Sequence, residues 1–108
     1  QEMVQKIEAI YNRHQKPVIF TEVGFTGVPA PWKQPHEPAE RRAEINLDDQ
    51  ARCYEAVFRS LHGKPWVQGI YWWKWPTYLE YGGEEDNDFT PNNKPAEEVV
   101  RRWYAKEW

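Results

Sequence analysis

The sequence is poor in the aliphatic residues that usually fill a protein core. Leu, Ile, Val and Phe together make up fewer than one in five of its 108 residues, and leucine occurs only three times. Such a content is typical of disordered chains, but those also have few aromatic residues and a high net charge. Here aromatic residues make up 16% of the chain, and the net charge is only -3. We therefore expect an ordered chain, and its length fits one domain.

Other absences exclude whole classes of protein. The single cysteine, Cys53, rules out an internal disulfide and any site built from several cysteines. No apolar run approaches the roughly 20 residues that span a bilayer, so no membrane partner is expected. The 14 basic and 17 acidic residues leave no basic excess of the kind that nucleic acids attract. The histidines, at positions 14, 36 and 62, lack the spacing of metal ligands, so no metal site is predicted from them.

Apolar residues recur at helix and strand spacings in an alternating order. Steps of three and four predict amphipathic helices, whereas short β-branched and aromatic runs predict strands. The first strand shows no strict alternation, which indicates burial on both faces and hence a parallel sheet. The predicted order is helix 3–13, strand 18–21, loop 24–46, helix 47–61, strand 66–75, loop 76–93 and a helix from Pro95.

This order predicts part of a (β/α)8 barrel, in the α/β class. Both long loops follow the C-terminal ends of strands, where such barrels build their active sites. A complete barrel takes about 250 residues, so residues 1–108 are expected to form a single partial domain. Two strands alone leave unpaired backbone groups at the sheet edges. We therefore expect the isolated chain to self-associate or to be marginally stable.

Glu22 is a candidate for chemistry because of its position. It stands where an apolar strand ends and a glycine-containing loop begins. A buried carboxylate is costly, so this one should be either paired or catalytic. Its position also fits a solvated loop carboxylate, or one paired with an arginine of a neighbouring strand. All of these interpretations stay open on the residues alone.

Aromatic residues are concentrated at the end of the second predicted strand. Alternation places Tyr71, Trp73 and Trp75 on one face and Trp72 on the other. Flat rings at a strand end can stack on the apolar C–H face of a sugar, but they can equally fill space between a sheet and its helices. Packing is the preferred interpretation for Trp72, whereas both remain open for Trp73 and Trp75.

Two further features favour ordinary structural roles. The acidic stretch, with carboxylates at positions 84, 85, 86 and 88, lacks the spacing and glycine of a calcium loop, so it is predicted to be a solvated loop. Cys53 lies within the second long helix without an evident base partner. It is therefore predicted to be a small core residue.

Three segments together resemble a known family: KPVIFTEVGF at 16–25, WVQGIYWWKW at 66–75 and DFTPNNKPAEEVVRRWY at 88–104. The chain looks like the C-terminal part of a retaining (β/α)8 glycoside hydrolase of clan A. It is most similar to Glycoside Hydrolase Family 113, the β-1,4-mannanase family. This resemblance implies that residues 17–22 and 66–74 are the seventh and eighth barrel strands.

The resemblance also implies roles for individual residues. Glu22 would be the catalytic nucleophile, and Trp73 would line the subsite of the sugar to be cleaved off. Trp75, Asp86 and Asp88 would border the substrate cleft. The implied substrate is a β-linked oligosaccharide or polysaccharide, mannan first, and no cofactor or metal is implied.

A retaining mechanism needs a second carboxyl group as general acid and base. The clan carries it in an Asn-Glu pair on the fourth strand, and no Asn-Glu pair occurs in this sequence. The chain alone is therefore expected to be inactive, with the remainder of the barrel or further copies of itself as partners. A noncatalytic carbohydrate-binding or self-associating structural fragment is the alternative.

Overall fold

The computed structural model describes residues 2–33 and 44–106. Its helices and strands follow the predicted order throughout. They are α1 (Glu2–His14), β1 (Val18–Val23), α2 (Leu47–Leu61), β2 (Val67–Trp72) and α3 (Pro95–Tyr104), with a short 3-10 helix over Pro31–Lys33. Residues 34–43 of the predicted first loop, including His36, lie outside the described residues.

Local sequence signals explain where α2 begins and ends. The Asn46 side chain accepts a hydrogen bond from the backbone N–H of Asp49 at 3.0 Å, which satisfies one donor of the first turn. After the last turn, Gly63 adopts a φ of 81°, a conformation that costs glycine little. The predicted bounds of this helix, residues 47–61, are therefore confirmed.

β1 and β2 pair in parallel, as predicted. Phe20 is opposite Ile70, whereas Val23 is opposite Trp72, so β1 carries one residue more than β2 over this stretch. Such a bulge lets residues three apart face the same side of a strand. Phe20 and Val23 accordingly both pack against the core, and the two residues between them are exposed.

The core lies on the helix side of this sheet and is largely aromatic. Tyr54 of α2 stacks on Trp72 with ring centroids 4.1 Å apart, and Phe58 stacks on Trp103 of α3 at 5.7 Å. A smaller cluster lies beneath α1 and includes Trp66, whose indole N–H donates to the Glu8 carboxylate at 2.8 Å. Aromatic pairs of this kind compensate for the scarcity of aliphatic residues.

The opposite face of the sheet is open, which differs from the expected burial on both faces. Ile19 is 51% exposed and Tyr71 65% exposed. The reason is that every described helix that packs on the sheet does so on its other side.

Within the described ranges, no helix has the length and apolarity to cross a membrane.

β2 is shorter than predicted and ends at Trp72 rather than at residue 75. Its partner β1 ends at Val23, whose carbonyl accepts the N–H of Trp73 at 2.6 Å. Beyond this bond there is no β1 residue left to pair with. The predicted alternation therefore does not extend to Trp75, and the peptide bond between Trp73 and Lys74 is cis.

Candidate active site

Glu22 is the second-to-last residue of β1, so it lies within the strand rather than just after it. Its side chain is exposed. No described residue forms a hydrogen bond or an ion pair with its carboxylate. Pairing with an arginine is thus not observed in the part of the chain that the structure describes. The carboxylate is available for contact with another molecule or another part of the protein.

Trp73 follows β2 directly and lies beside the C-terminal end of β1, where Glu22 is located. The hydrogen bond from its backbone N–H to Val23 joins the two strand ends immediately after Glu22. The backbone of Gly24 also lies very close to that of Trp73. A β-carbon added at Gly24 would be only 2.5 Å from the Trp73 carbonyl oxygen. Trp73 and Trp75 are 45% and 44% exposed as whole residues, so neither is enclosed in the core at this edge.

Asp86 and Asp88 hold the second loop together. The Asp86 carboxylate lies 2.8 Å from the ammonium of Lys94, whose side chain is completely buried. The Asp88 carboxylate accepts a hydrogen bond from the backbone N–H of Phe89 at 2.9 Å. The backbone carbonyl of Asp88 accepts one from the Lys94 ammonium at 3.0 Å. Burial lowers the pKa of Lys94, and the Asp86 carboxylate opposes that shift. Both carboxylates are thus engaged within the loop.

The ion pair gives a stability prediction. Lys94→Met keeps the side-chain volume but leaves Asp86 and the Asp88 carbonyl without their donor. Losing one partner of a buried pair costs about 3–5 kcal/mol. Because the Asp86 side chain keeps 26% exposure, we expect a loss at the lower end of that range, about 3 kcal/mol, in the free energy of unfolding measured with urea.

Lys64→Met is the matched control for this substitution. Lys64 pairs with Glu8 at 3.6 Å, and both side chains are more than a third exposed. Solvent screening makes such a pair weak, so its loss should lower the free energy of unfolding far less. Equal losses in the two variants would contradict a structural role for the buried pair.

The loops after the two strands are joined to each other. The backbone N–H of Gly27 donates to the carbonyl of Asn87 at 2.8 Å. In addition, the Gln50 side chain of α2 reaches carbonyl groups in both loops. The two strand-end segments therefore form one continuous surface beside Glu22 and Trp73.

Asn92 and Asn93 organise the outer part of the second loop. Their side-chain amides donate to the carbonyls of Leu79 and Tyr81 at 2.7–3.2 Å. Sequence reasoning did not single out these asparagines, nor Gln50 and Lys94. The only available signal was the position of the asparagines and the lysine directly before Pro95, where a loop must be anchored to a helix.

Neither Cys53 nor any group of possible metal ligands among the described residues forms an arrangement suited to catalysis. Burial, together with the charge of Asp49, raises the pKa of the Cys53 thiol to about 11, so it is protonated at neutral pH. It is buried in α2, as predicted. The described residues contain no group of three or more His, Cys, Asp or Glu side chains that could hold a metal ion.

Comparisons with known proteins identify the family of the chain. The family model of Glycoside Hydrolase Family 113 matches residues 1–105. No curated protein matches the chain in sequence. Solved structures do match: a GH113 β-1,4-mannanase in a complex structure (28% identity, TM-score 0.81, 98% of this chain) and another GH113 β-1,4-mannanase (29%, 0.85, 96%).

A third similar structure is the GH113 β-mannanase AaManA from Alicyclobacillus acidocaldarius in complex with ManMIm (32% identity, TM-score 0.83, 96% of this chain). The chain spans about a third of the length of these mannanases, 34–35% in each case. The family match nevertheless extends over nearly all of its own residues. The chain therefore belongs to Glycoside Hydrolase Family 113.

Proposed function

We propose that this chain is part of a retaining glycoside hydrolase that cleaves β-1,4-linked mannan. In this proposal β1 and β2 are the seventh and eighth strands of a (β/α)8 barrel, and residues 1–108 form one partial domain of it. The similar solved structures are β-mannanases about three times as long as this chain. The observation that carries the proposal is the exposed Glu22, which pairs with none of the described residues and lies beside Trp73 at the C-terminal ends of two parallel strands.

Glu22 would act as the nucleophile of a double displacement. Its carboxylate attacks the anomeric carbon, and the bond to the leaving oxygen breaks while a general acid protonates that oxygen. Water, deprotonated by the same group, then attacks the glycosyl ester and releases Glu22 as a carboxylate. The general acid must lie about 5–5.5 Å from Glu22. It would come from outside these 108 residues, so the chain alone should be inactive.

Substrate binding is assigned to the aromatic edge and to the second loop. The exposed Trp73 ring suits stacking on the sugar that is cleaved off, and Trp75 would extend the same surface. Asp86 and Asp88 would border the cleft. Because their carboxylates hold the loop, their contribution would come largely through its shape.

A noncatalytic role is the second candidate. The exposed side chains of the open sheet face support it, because such a face can bind a glycan or another copy of the chain. Under this candidate, Trp73→Ala would weaken binding of mannan oligosaccharides, whereas Glu22→Ala would not affect it.

The direct test is hydrolysis of soluble β-1,4-mannan by the full-length enzyme, with the 108-residue chain measured in parallel. Proton NMR of the first product gives its anomeric configuration. We expect the full-length enzyme to release the β-anomer and the short chain to release nothing. Initial release of the α-anomer would contradict the double displacement, and hydrolysis by the short chain would place the acid among these residues.

A further inference from the structure

Gln50 is a fully buried polar side chain that the proposed chemistry does not use. It lies in the first turn of α2 with none of its surface exposed. Its amide nitrogen is 2.9 Å from the carbonyl of Phe25, in the loop after β1. The same nitrogen is 3.2–3.4 Å from the carbonyls of residues 88, 89 and 90, in the loop after β2. One side chain therefore donates to both strand-end loops.

Other buried donors serve only the second of these loops. The Tyr54 hydroxyl donates to the Phe89 carbonyl at 3.4 Å, and the Lys94 ammonium donates to that of Asp88. Over residues 2–33 and 44–106, Gln50 is the side chain whose hydrogen bonds reach both loops. The amide oxygen of Gln50 has no hydrogen-bond partner there. An apolar side chain would fill the same space without this cost, so simple packing does not explain a glutamine.

We propose that Gln50 is a positioning residue that fixes the distance between Glu22 and Trp73. Phe25, which it holds, is three residues after Glu22. Phe89, which it also holds, has its ring against Gly24, and Gly24 lies against the backbone of Trp73. This inference rests on the proposed function, because the distance matters only if Glu22 attacks a sugar that stacks on Trp73.

The test uses the full-length enzyme with Gln50→Met, which keeps the length of the side chain and removes its donors. Small displacements of reacting groups cost about 10–100-fold in rate. We expect kcat on mannan to fall by about that factor while KM changes less than about threefold. Amide hydrogen exchange should accelerate in both loops, at residues 24–27 and 87–90. Gln5→Met, at an exposed glutamine of α1, is the control and should change neither quantity.

A second variant covers the case in which Gln50→Met does not fold. Gln50→Glu places a carboxyl group among several carbonyl oxygens, which repel its ionised form. When protonated, the introduced group can donate one hydrogen bond. Activity relative to the parent enzyme should therefore rise as the pH falls from 7 to 5. A side chain that only fills space would give no such pH dependence.

Unchanged kcat in Gln50→Met, or faster exchange in only one of the two loops, would overturn the positioning role. A flat relative pH profile for Gln50→Glu would do the same. Failure of the proposed function looks different, because the parent enzyme would then not cleave mannan or Glu22→Ala would remain active. The exchange measurement needs no catalysis, so it decides whether Gln50 connects the loops in either case.

Discussion

Glu22→Ala is expected to lower the kcat of the full-length enzyme on β-1,4-mannan by about 10⁴-fold or more, the scale on which removal of a catalytic nucleophile acts. KM should change only a few-fold, because the group attacks the anomeric carbon rather than holding the sugar. The melting temperature should stay the same, since the side chain is exposed and no described residue pairs with it. Initial rates and thermal unfolding of the same preparation measure these quantities.

Chemical rescue separates a nucleophile from a residue that merely shapes the site. Azide can enter the space left by Glu22→Ala, attack the anomeric carbon from the same face and remain bonded to it. We expect azide to restore turnover and to give a glycosyl azide of inverted configuration. Glu98→Ala, at an exposed carboxylate of α3, is the control and should keep full activity. Substantial residual activity of Glu22→Ala without azide would remove Glu22 from the mechanism.

Periodicity and turn chemistry were sufficient to predict the order of elements. The bounds of α2 followed from the spacing of its apolar residues, and in the structure they coincide with two local features, a capping asparagine and a glycine with positive φ. The parallel pairing of β1 and β2 followed from the alternation of predicted helices and strands, together with the lack of strict alternation in the first strand. These features depend on interactions over a few residues, so the sequence carries them directly.

The details of the strand ends depend on contacts that no spacing encodes. The bulge in β1 arises from pairing with β2, and it decides that Glu22 and its neighbour are both exposed. The burial of Lys94 and Gln50 arises from packing of two loops against α2 and α3. Polar residues in a loop or on a helix give no sign of burial before their partners are known, so sequence reasoning treated the acidic stretch as solvated.

The exposed sheet face shows a second reason why the sequence did not predict the structure completely. Apolar strands indicated burial on both faces, yet the described helices cover only one of them. An apolar pattern indicates that a strand face is suited to burial, but it does not say which element covers that face. In the proposed barrel, the open face around Ile19 and Tyr71 would be the interior.

Gly24→Ala is expected to damage both stability and catalysis, because its new methyl group would meet backbone. The added carbon would lie 2.5 Å from the Trp73 carbonyl oxygen and 3.2 Å from the Phe89 ring. A backbone carbonyl at a strand end cannot rotate away as a flexible side chain can. We expect a loss of about 1–3 kcal/mol in the free energy of unfolding from this overpacking. We also expect about a 10–100-fold loss in kcat, because Trp73 must move relative to Glu22.

Gly63→Ala distinguishes lost stability from a displaced active site. Gly63 has a φ of 81°, and no atom of the described residues lies within 4 Å of an added β-carbon, so this substitution strains the backbone of Gly63 itself. It should cost about 1–2 kcal/mol in urea unfolding and leave kcat unchanged below the melting transition. If Gly24→Ala lowers kcat and Gly63→Ala does not, the close approach of Gly24 to Trp73 sets the catalytic geometry. Equal kcat in both variants would mean that this contact serves stability alone.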